Sequence, residues 1–129
     1  MNNLVLAYLG DAVYELYIRE FLINQGFAKV NDLQNESLKY ISAVSQRRIL
    51  EQLENKNIFT NEEKDIINRG RNMSSHKSKS TDIITYKKAT GFECLIGYLY
   101  LNEKNRLKEI MKEVVGAKWE YTEKMFLMN

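Results

Sequence analysis

Along this chain apolar residues return every three or four positions almost from end to end, and no proline interrupts them. Spacing of that kind puts side chains on one face of a helix, whereas a half-buried strand needs strict alternation. The pattern therefore predicts helices throughout. A first helix runs from about Asn3 to Gln25, with Leu6, Leu9, Val13, Leu16, Tyr17 and Phe21 on its apolar side and Gly26 as its stop. It reads as the central core helix. Asn31 and Asp32 offer N-caps for a second stretch, DLQNESLKYI, which continues or kinks near Ser42 into AVSQRRILEQLENK. Thr60 and Glu63 have the S/T-x-x-E spacing of a capping box, so EEKDIINRG forms a short helix that Gly70 ends. From Asn72 to Thr81 the periodicity fails. Serine, asparagine and lysine dominate there, Met73 is the one large apolar residue, and a long exposed loop is expected. Patterning resumes in YKKATGFECLIGYLYL, a second core helix, and in NRLKEIMKEVVG, ended by Gly116. The tail AKWEYTEKMFLMN fits either a last short helix packing Trp119 and Phe126 or a frayed end.

Length and composition narrow this to one compact all-α domain over residues 1–129, because two modules in 129 residues would each lack an adequate interior. Charges interrupt every apolar stretch well before the roughly 18 to 20 residues that a membrane span needs. The start MNNLVLAYLGDA has neither the basic residues nor the cleavage site of a secretory signal. Cys94 stands alone, so no internal disulfide forms. A cytoplasmic protein without membrane attachment is expected.

The net charge of +2 says less than its placement. Residues 69–88 hold six Lys/Arg against one acid, Asp82; of the 19 basic and 17 acidic residues in the chain, 13 and 16 lie elsewhere. One basic segment thus carries the positive field. Such a patch suits either a polyanion or plain solvation.

Candidate chemistry lies in two acids inside apolar helices: Asp11 in LAYLGDAVYE and Glu93 in TGFECLIGYLYL. A buried carboxylate must be paired, hydrogen-bonded or bound to a metal. Glu15, four residues after Asp11, projects from the same face and could share a cation, though a solvated position explains it too. Gly10 precedes Asp11, and Gly91 and Gly97 bracket Glu93, at sites where glycine weakens a helix by roughly 1 kcal/mol relative to alanine. These glycines predict two helices in close contact. Carboxylates on closely packed helices are a common way to hold Mg²⁺, a hard cation that prefers oxygen and keeps several waters.

These segments also resemble a known family. LAYLGDAVYELYIRE resembles the ribonuclease III signature with its LGDAV core, and ATGFECLIGYLYL resembles the second acidic helix of the same enzymes. RGRN, the Ser/Lys-rich loop and TDIITYKKATGFE resemble the Mini branch, which has the catalytic domain without a double-stranded RNA-binding domain. The resemblance covers nearly the whole chain. It implies a compact helical fold, a symmetric homodimer, Mg²⁺-dependent hydrolysis of both strands of an RNA duplex, and trimming of the large-subunit (23S) ribosomal RNA precursor; it leaves room for a ribosomal-protein cofactor. Asp11 and Glu93 take the positions of the two essential metal-binding carboxylates. Ala7 and Thr90 stand where full-length ribonuclease III has further acids one turn earlier, a loss usual in the Mini branch. Glu15 is then a candidate third ligand.

Duplex RNA is recognised by shape, 2′-hydroxyls and phosphates, so positive charge matters more than aromatic stacking. Arg69, Arg71, Asn72, Lys77, Lys79, Lys87 and Lys88 are assigned to backbone contacts, with Thr85 and Tyr86 on the same surface. His76 could look like a general base, yet it lies in the basic loop far from both carboxylates. Cys94 reads as core. Ser42, Ser45 and Gln46 with Arg47 and Arg48 suit a helix start and a salt-bridged surface better than an RNA contact. Phe92, Leu95, Tyr98 and Tyr100 serve as core or dimer seam, and the aromatic side of FECLIGYLYL with part of the first helix is the expected seam. Two other readings compete. One is a catalytically inert RNA-binding or assembly module of the same fold. The other is an all-helical nucleotide pyrophosphatase, which normally uses a denser set of acids than Glu120 and Glu123 supply.

Overall fold

A computed structural model describes residues 1–73 and 82–116. These residues form six helices and no strand: α1 (Asn3–Asn24), α2 (Val30–Ile41), α3 (Ala43–Asn55), α4 (Asn61–Met73), α5 (Ile83–Asn102) and α6 (Lys104–Val115). The expected all-α architecture is found.

Most of the helix boundaries have a local cause. The Asn2 side chain accepts from the Leu4 amide at 2.7 Å and opens α1, while Gly26 follows its end at φ 99°, a left-handed conformation natural to glycine. Ser42 caps α3 by accepting from the Ser45 amide at 3.1 Å, which separates α3 from α2 at the expected kink. Thr60 and Glu63 bond reciprocally, amide to side chain, at 3.0 and 3.1 Å, so the capping box is real. Asn31 and Asp32 do not cap α2, which starts earlier, at Val30; Asp32 sits in the first turn, where its charge favours the helix N-terminus. α5 likewise starts before the aromatic run, because the Asp82 carboxylate accepts from the Thr85 amide at 2.8 Å.

Gly70 does not end α4, which runs on to Met73. Its missing side chain serves packing: a Cβ there would lie 2.8 Å from the Cβ of Cys94 and 3.1 Å from the Cα of Gly91. Consequently Arg69, Arg71 and Asn72 stand on the last turns of a helix and not in a loop.

α5, rather than α1, is the central helix. It packs against α1, α3, α4 and α6, and Phe92, Leu95, Ile96 and Leu99 have no solvent exposure. α1 buries Leu6, Ala7, Val13, Tyr14, Ile18, Phe21 and Leu22 but leaves Leu16 55% exposed and Leu9 and Tyr17 half-buried, so its apolar side is rotated from the expected one. The reason is Gly10, which draws the Ala7–Tyr14 side of α1 onto α5. Phe92 and Leu95 are therefore taken up by the chain's own core, which leaves Tyr98, Tyr100 and Leu101 as the outer part of FECLIGYLYL. α1 also leaves Leu4, Val5, Tyr8 and Leu16 exposed.

Among the described residues the fully buried carboxylate is Glu63, which two nitrogens of Arg106 on α6 grip at 2.8 and 2.9 Å. Burial pushes this carboxyl up, but the hydrogen bonds from Arg106 and Thr60 outweigh it and hold Glu63 below the usual carboxylate range. Arg106 also donates to the Ile58 carbonyl at 2.7 Å, tying α6 to the turn ahead of α4.

α1 and α5 meet at Gly10 and Gly97. A Cβ on Gly10 would overlap the Glu93 carbonyl oxygen and lie 2.8 Å from the Gly97 nitrogen; one on Gly97 would overlap the Leu6 carbonyl oxygen. These are backbone atoms that cannot rotate away. Gly91, expected at the same contact, faces α4, where a Cβ would sit 2.6 Å from the Ile67 carbonyl oxygen. Gly10→Ala and Gly97→Ala should each lower unfolding free energy by about 3 kcal/mol or more, through overpacking that forces the helices apart. Gly26→Ala, in open space, should lose about 1 kcal/mol from its positive φ alone. Urea titration of the three variants checks the order; an equal loss at all three would disprove the close-contact account.

Candidate active site

The close approach at Gly10 and Gly97 sets neighbouring residues opposite one another: Asp11 follows Gly10 on α1, and Glu93 lies one turn before Gly97 on α5. Their carboxyl groups hydrogen-bond each other. Asp11 is exposed whereas Glu93 is largely enclosed, so only the second of the two acids is buried as the helical pattern suggests. The arrangement is a carboxyl pair with one side open to solvent.

Two carboxylates this close cannot both ionise freely without a cation. Burial first, and then the hydrogen bond and charge of Asp11, push the Glu93 carboxyl up to about 9; a hydrogen bond from Gln46 pulls the other way. Gln46 reaches this point from α3 and is only 2% exposed. By sequence alone it groups with the helix start and salt-bridged surface of Ser42, Ser45, Arg47 and Arg48. Its signal was its register: 46, 49, 50 and 53 form the inward stripe of α3, and Gln46 is the polar member beside Ile49, Leu50 and Leu53.

Positions one turn before the pair offer no ligand. Ala7 is buried, and the buried Thr90 hydroxyl donates back to the Tyr86 carbonyl at 2.9 Å. Glu15 is not brought to the pair: it accepts from Arg19 at 2.8 Å along the outer face of α1. Among the described residues no group of three or more His, Cys, Asp or Glu could hold a metal ion. Two hard oxygen donors with an open side nevertheless suit Mg²⁺, which binds through one or two carboxylates and fills its remaining positions with water or phosphate.

The basic residues divide. Arg69 and Asn72 are exposed at the end of α4, and the Arg71 stem packs near Gly91. Thr85 is buried, its hydroxyl donating to Asp82 and accepting from Arg47, both at 2.9 Å. Tyr86 and Lys87 are half-buried on the first turns of α5, and Lys88 is paired with Glu51 at 2.6 Å. His76, Lys77 and Lys79 fall outside the described residues, as do Trp119, Glu120, Glu123 and Phe126. Arg47 is engaged by Glu51 and Asp82 at 3.4 and 3.9 Å, the salt-bridged surface expected of it. Cys94 is core, and burial pushes its thiol up to about 11. No described helix is long and apolar enough to cross a membrane.

Known proteins resemble this chain in sequence and shape. The profile of the Ribonuclease III domain family matches residues 4–104. The Mini-ribonuclease 3 of Streptococcus pneumoniae is 44% identical over 104 residues, 80% of this chain and 81% of that protein. That of Enterococcus faecalis is 41% identical over 126 residues, 96% of both. A crystal structure of a protein from Fusobacterium nucleatum superimposes with a TM-score of 0.79 at 32% identity, covering 91% of this chain and 94% of that one.

The pair has a signature in stability. Glu93 has a folded pKa raised above its unfolded value, so folding favours its protonated form. The resulting penalty is absent at about pH 4, near the unfolded pKa, grows through neutrality and levels off above about 9. Glu93→Gln removes that penalty. In chelator-treated buffer the variant should therefore match the wild type near pH 4 and exceed it at neutral pH by about 1–3 kcal/mol. Urea midpoints across the pH range measure this, and a difference that does not vary with pH would refute the shared-proton pair.

Proposed function

The chain belongs to the ribonuclease III family, in its Mini-ribonuclease 3 branch, and is an endoribonuclease; on that premise we propose that it cuts double-stranded RNA with Mg²⁺ held between Asp11 and Glu93. The observation carrying this reading is the direct contact between the two carboxyl groups. Mg²⁺ bound there would offset phosphate charge and lower the pKa of a coordinated water. The protein's part is placement. α1 and α5 hold the backbones that carry the two carboxylates at close range, because the glycines between them leave no room for adjustment. The exposed flank of Asp11 gives a bulky duplex access from one side. Glu15, held by Arg19, is no part of the pair. An inert RNA-binding member of the fold would leave that contact without a role.

We assign the RNA backbone to the basic surface formed by Arg69, Arg71 and Asn72 at the end of α4 and by Lys87 at the start of α5, and give the same role to Lys77 and Lys79, which lie outside the described residues. Tyr86 borders it. Thr85 and Lys88 contribute through the helix start that they stabilise rather than by direct contact. The working unit in this reading is a two-fold homodimer, since one Asp11–Glu93 site addresses one strand and a duplex presents two antiparallel strands. Val5, Tyr8 and Leu16, exposed on α1, and Leu101, exposed at the end of α5, offer apolar surface for that seam. Residues 1–129 then act as one catalytic domain in the cytoplasm, and the duplex within the 23S ribosomal RNA precursor is the substrate, with a ribosomal protein as an admissible cofactor.

Asp11→Asn and Glu93→Gln should each fold and associate normally yet lose at least 100-fold in cleavage, because an amide cannot anchor the ion. Incubation with ribosomal RNA precursor, with and without Mg²⁺, followed by end mapping, measures this. Mixed dimers of wild-type and Glu93→Gln subunits should nick one strand of a duplex labelled separately on each strand. Near-normal turnover by either variant rules out the assignment.

The RNA surface is tested by salt. Alanine at Arg71, Lys77 and Lys79 should weaken duplex binding and reduce the slope of log affinity against log salt by up to about 2 to 3, with a smaller effect on turnover at saturating RNA. A slope equal to that of the wild type would place the RNA elsewhere.

A further inference from the structure

The carboxyl pair has a neighbour that neither α1 nor α5 provides. Gln46 sits on α3 with its side chain enclosed, 2% exposed, at a register position whose companions are Ile49, Leu50 and Leu53. A primary amide in such a place is unfavourable unless its donors and acceptor are used. One Nε2 hydrogen points toward the Ile41 carbonyl, 3.4 Å away, at the end of α2. The side chain also faces the Glu93 carboxyl, whose charged form it favours. The backbone beneath it is fixed: the Gln46 amide bonds the Ser42 carbonyl at 2.8 Å, and the Ser42 and Ser45 side chains close the α2–α3 corner at 2.8 Å, with Ser45 donating on to the Leu38 carbonyl at 2.9 Å. Three helices therefore converge on Glu93: α5 carries it, α1 opposes it with Asp11, and α3 braces it with a neutral amide.

We propose that Gln46 is the positioning residue of this site, holding the Glu93 carboxylate toward Asp11 with an N–H bond and, by its neutrality, keeping the ion cradle at two negative charges. The inference rests on the metal reading of Asp11 and Glu93. The chemistry separates two roles that a buried side chain could have. If Gln46 only fills space, an isosteric apolar residue should replace it without effect on the ion. If it orients the carboxylate, removal of the N–H must loosen the ion; a carboxylate in its place lacks the N–H as well but sets a third charge against the cation, and that direct attraction exceeds the lost bond and tightens the ion.

Three variants of the full-length protein decide the matter: Gln46→Met, Gln46→Glu and, as reference, Asp11→Asn. Each is titrated calorimetrically with MgCl₂ in the absence of RNA and then assayed for kcat and KM on duplex RNA, with thermal melts to establish folding. Loss of an outer partner of a metal ligand typically weakens the ion or the activity by about 10- to 100-fold. Gln46→Met should therefore bind Mg²⁺ at least about tenfold more weakly and lower kcat with little change in KM, and Gln46→Glu should bind Mg²⁺ more tightly than the wild type. Gln46→Met that is folded and binds Mg²⁺ as the wild type does would overturn the proposal. So would Gln46→Glu with unchanged or weaker affinity, which stands as an independent test if Gln46→Met does not fold. Failure of the underlying reading looks different: wild type and Asp11→Asn would then bind Mg²⁺ alike.

Discussion

Everything at the candidate site depends on two helices being closer than side chains ordinarily permit. Packed helices are usually kept 8–10 Å apart by the residues between them. At Gly10 and Gly97 nothing stands between, and the Glu93 carbonyl oxygen occupies the space that a Cβ on α1 would need. The stabilising contacts here are dispersion between backbones, weak singly and substantial together. What this approach secures is position. Asp11 and Glu93 leave their helices next to that seam, so the packing sets how far apart their backbones stand and only side-chain torsions remain to adjust the carboxyl groups.

The rest of the molecule opposes the helix-weakening effect of glycine. α5 holds five residues with no solvent exposure, Phe92, Cys94, Leu95, Ile96 and Leu99, and is surrounded by α1, α3, α4 and α6. Tertiary packing therefore replaces intrinsic propensity in keeping it helical. At the far side the Glu63–Arg106 pair joins α4 and α6 by charge and hydrogen bonds, in a setting where a lone carboxylate would be unfavourable. The two devices work oppositely, one by absent atoms and the other by charged groups in contact.

Much of this was legible in the residues. Helical spacing, the Thr60/Glu63 box, the Ser42 kink and the Gly26 and Gly116 stops all depend on neighbours a few positions apart, which a sequence displays directly. Three readings failed for one shared reason: they needed a partner distant along the chain. Gly70 looks like a stop until Cys94 and Gly91 are seen against it. The apolar side of α1 could not be fixed without knowing that Gly10 turns toward α5. Burial of Glu63, and the relative openness of Asp11, follow from Arg106 and from the geometry of the seam. Gln46 had a local signal, a polar residue in an apolar stripe, but its meaning comes from Glu93, 47 positions later.

Arg47 follows Gln46 on α3, and the two side chains reach α5 at different heights. Gln46 faces Glu93, while Arg47 donates to Thr85 and approaches Asp82 at the first turn. Eight residues of helix, roughly 12 Å, separate Thr85 from Glu93. A rod gripped at two points along its length by the same neighbour can neither slide nor roll without releasing one grip. α3 thus fixes the axial register of α5, and the height at which Glu93 faces Asp11 is set from a helix that contributes no carboxylate of its own.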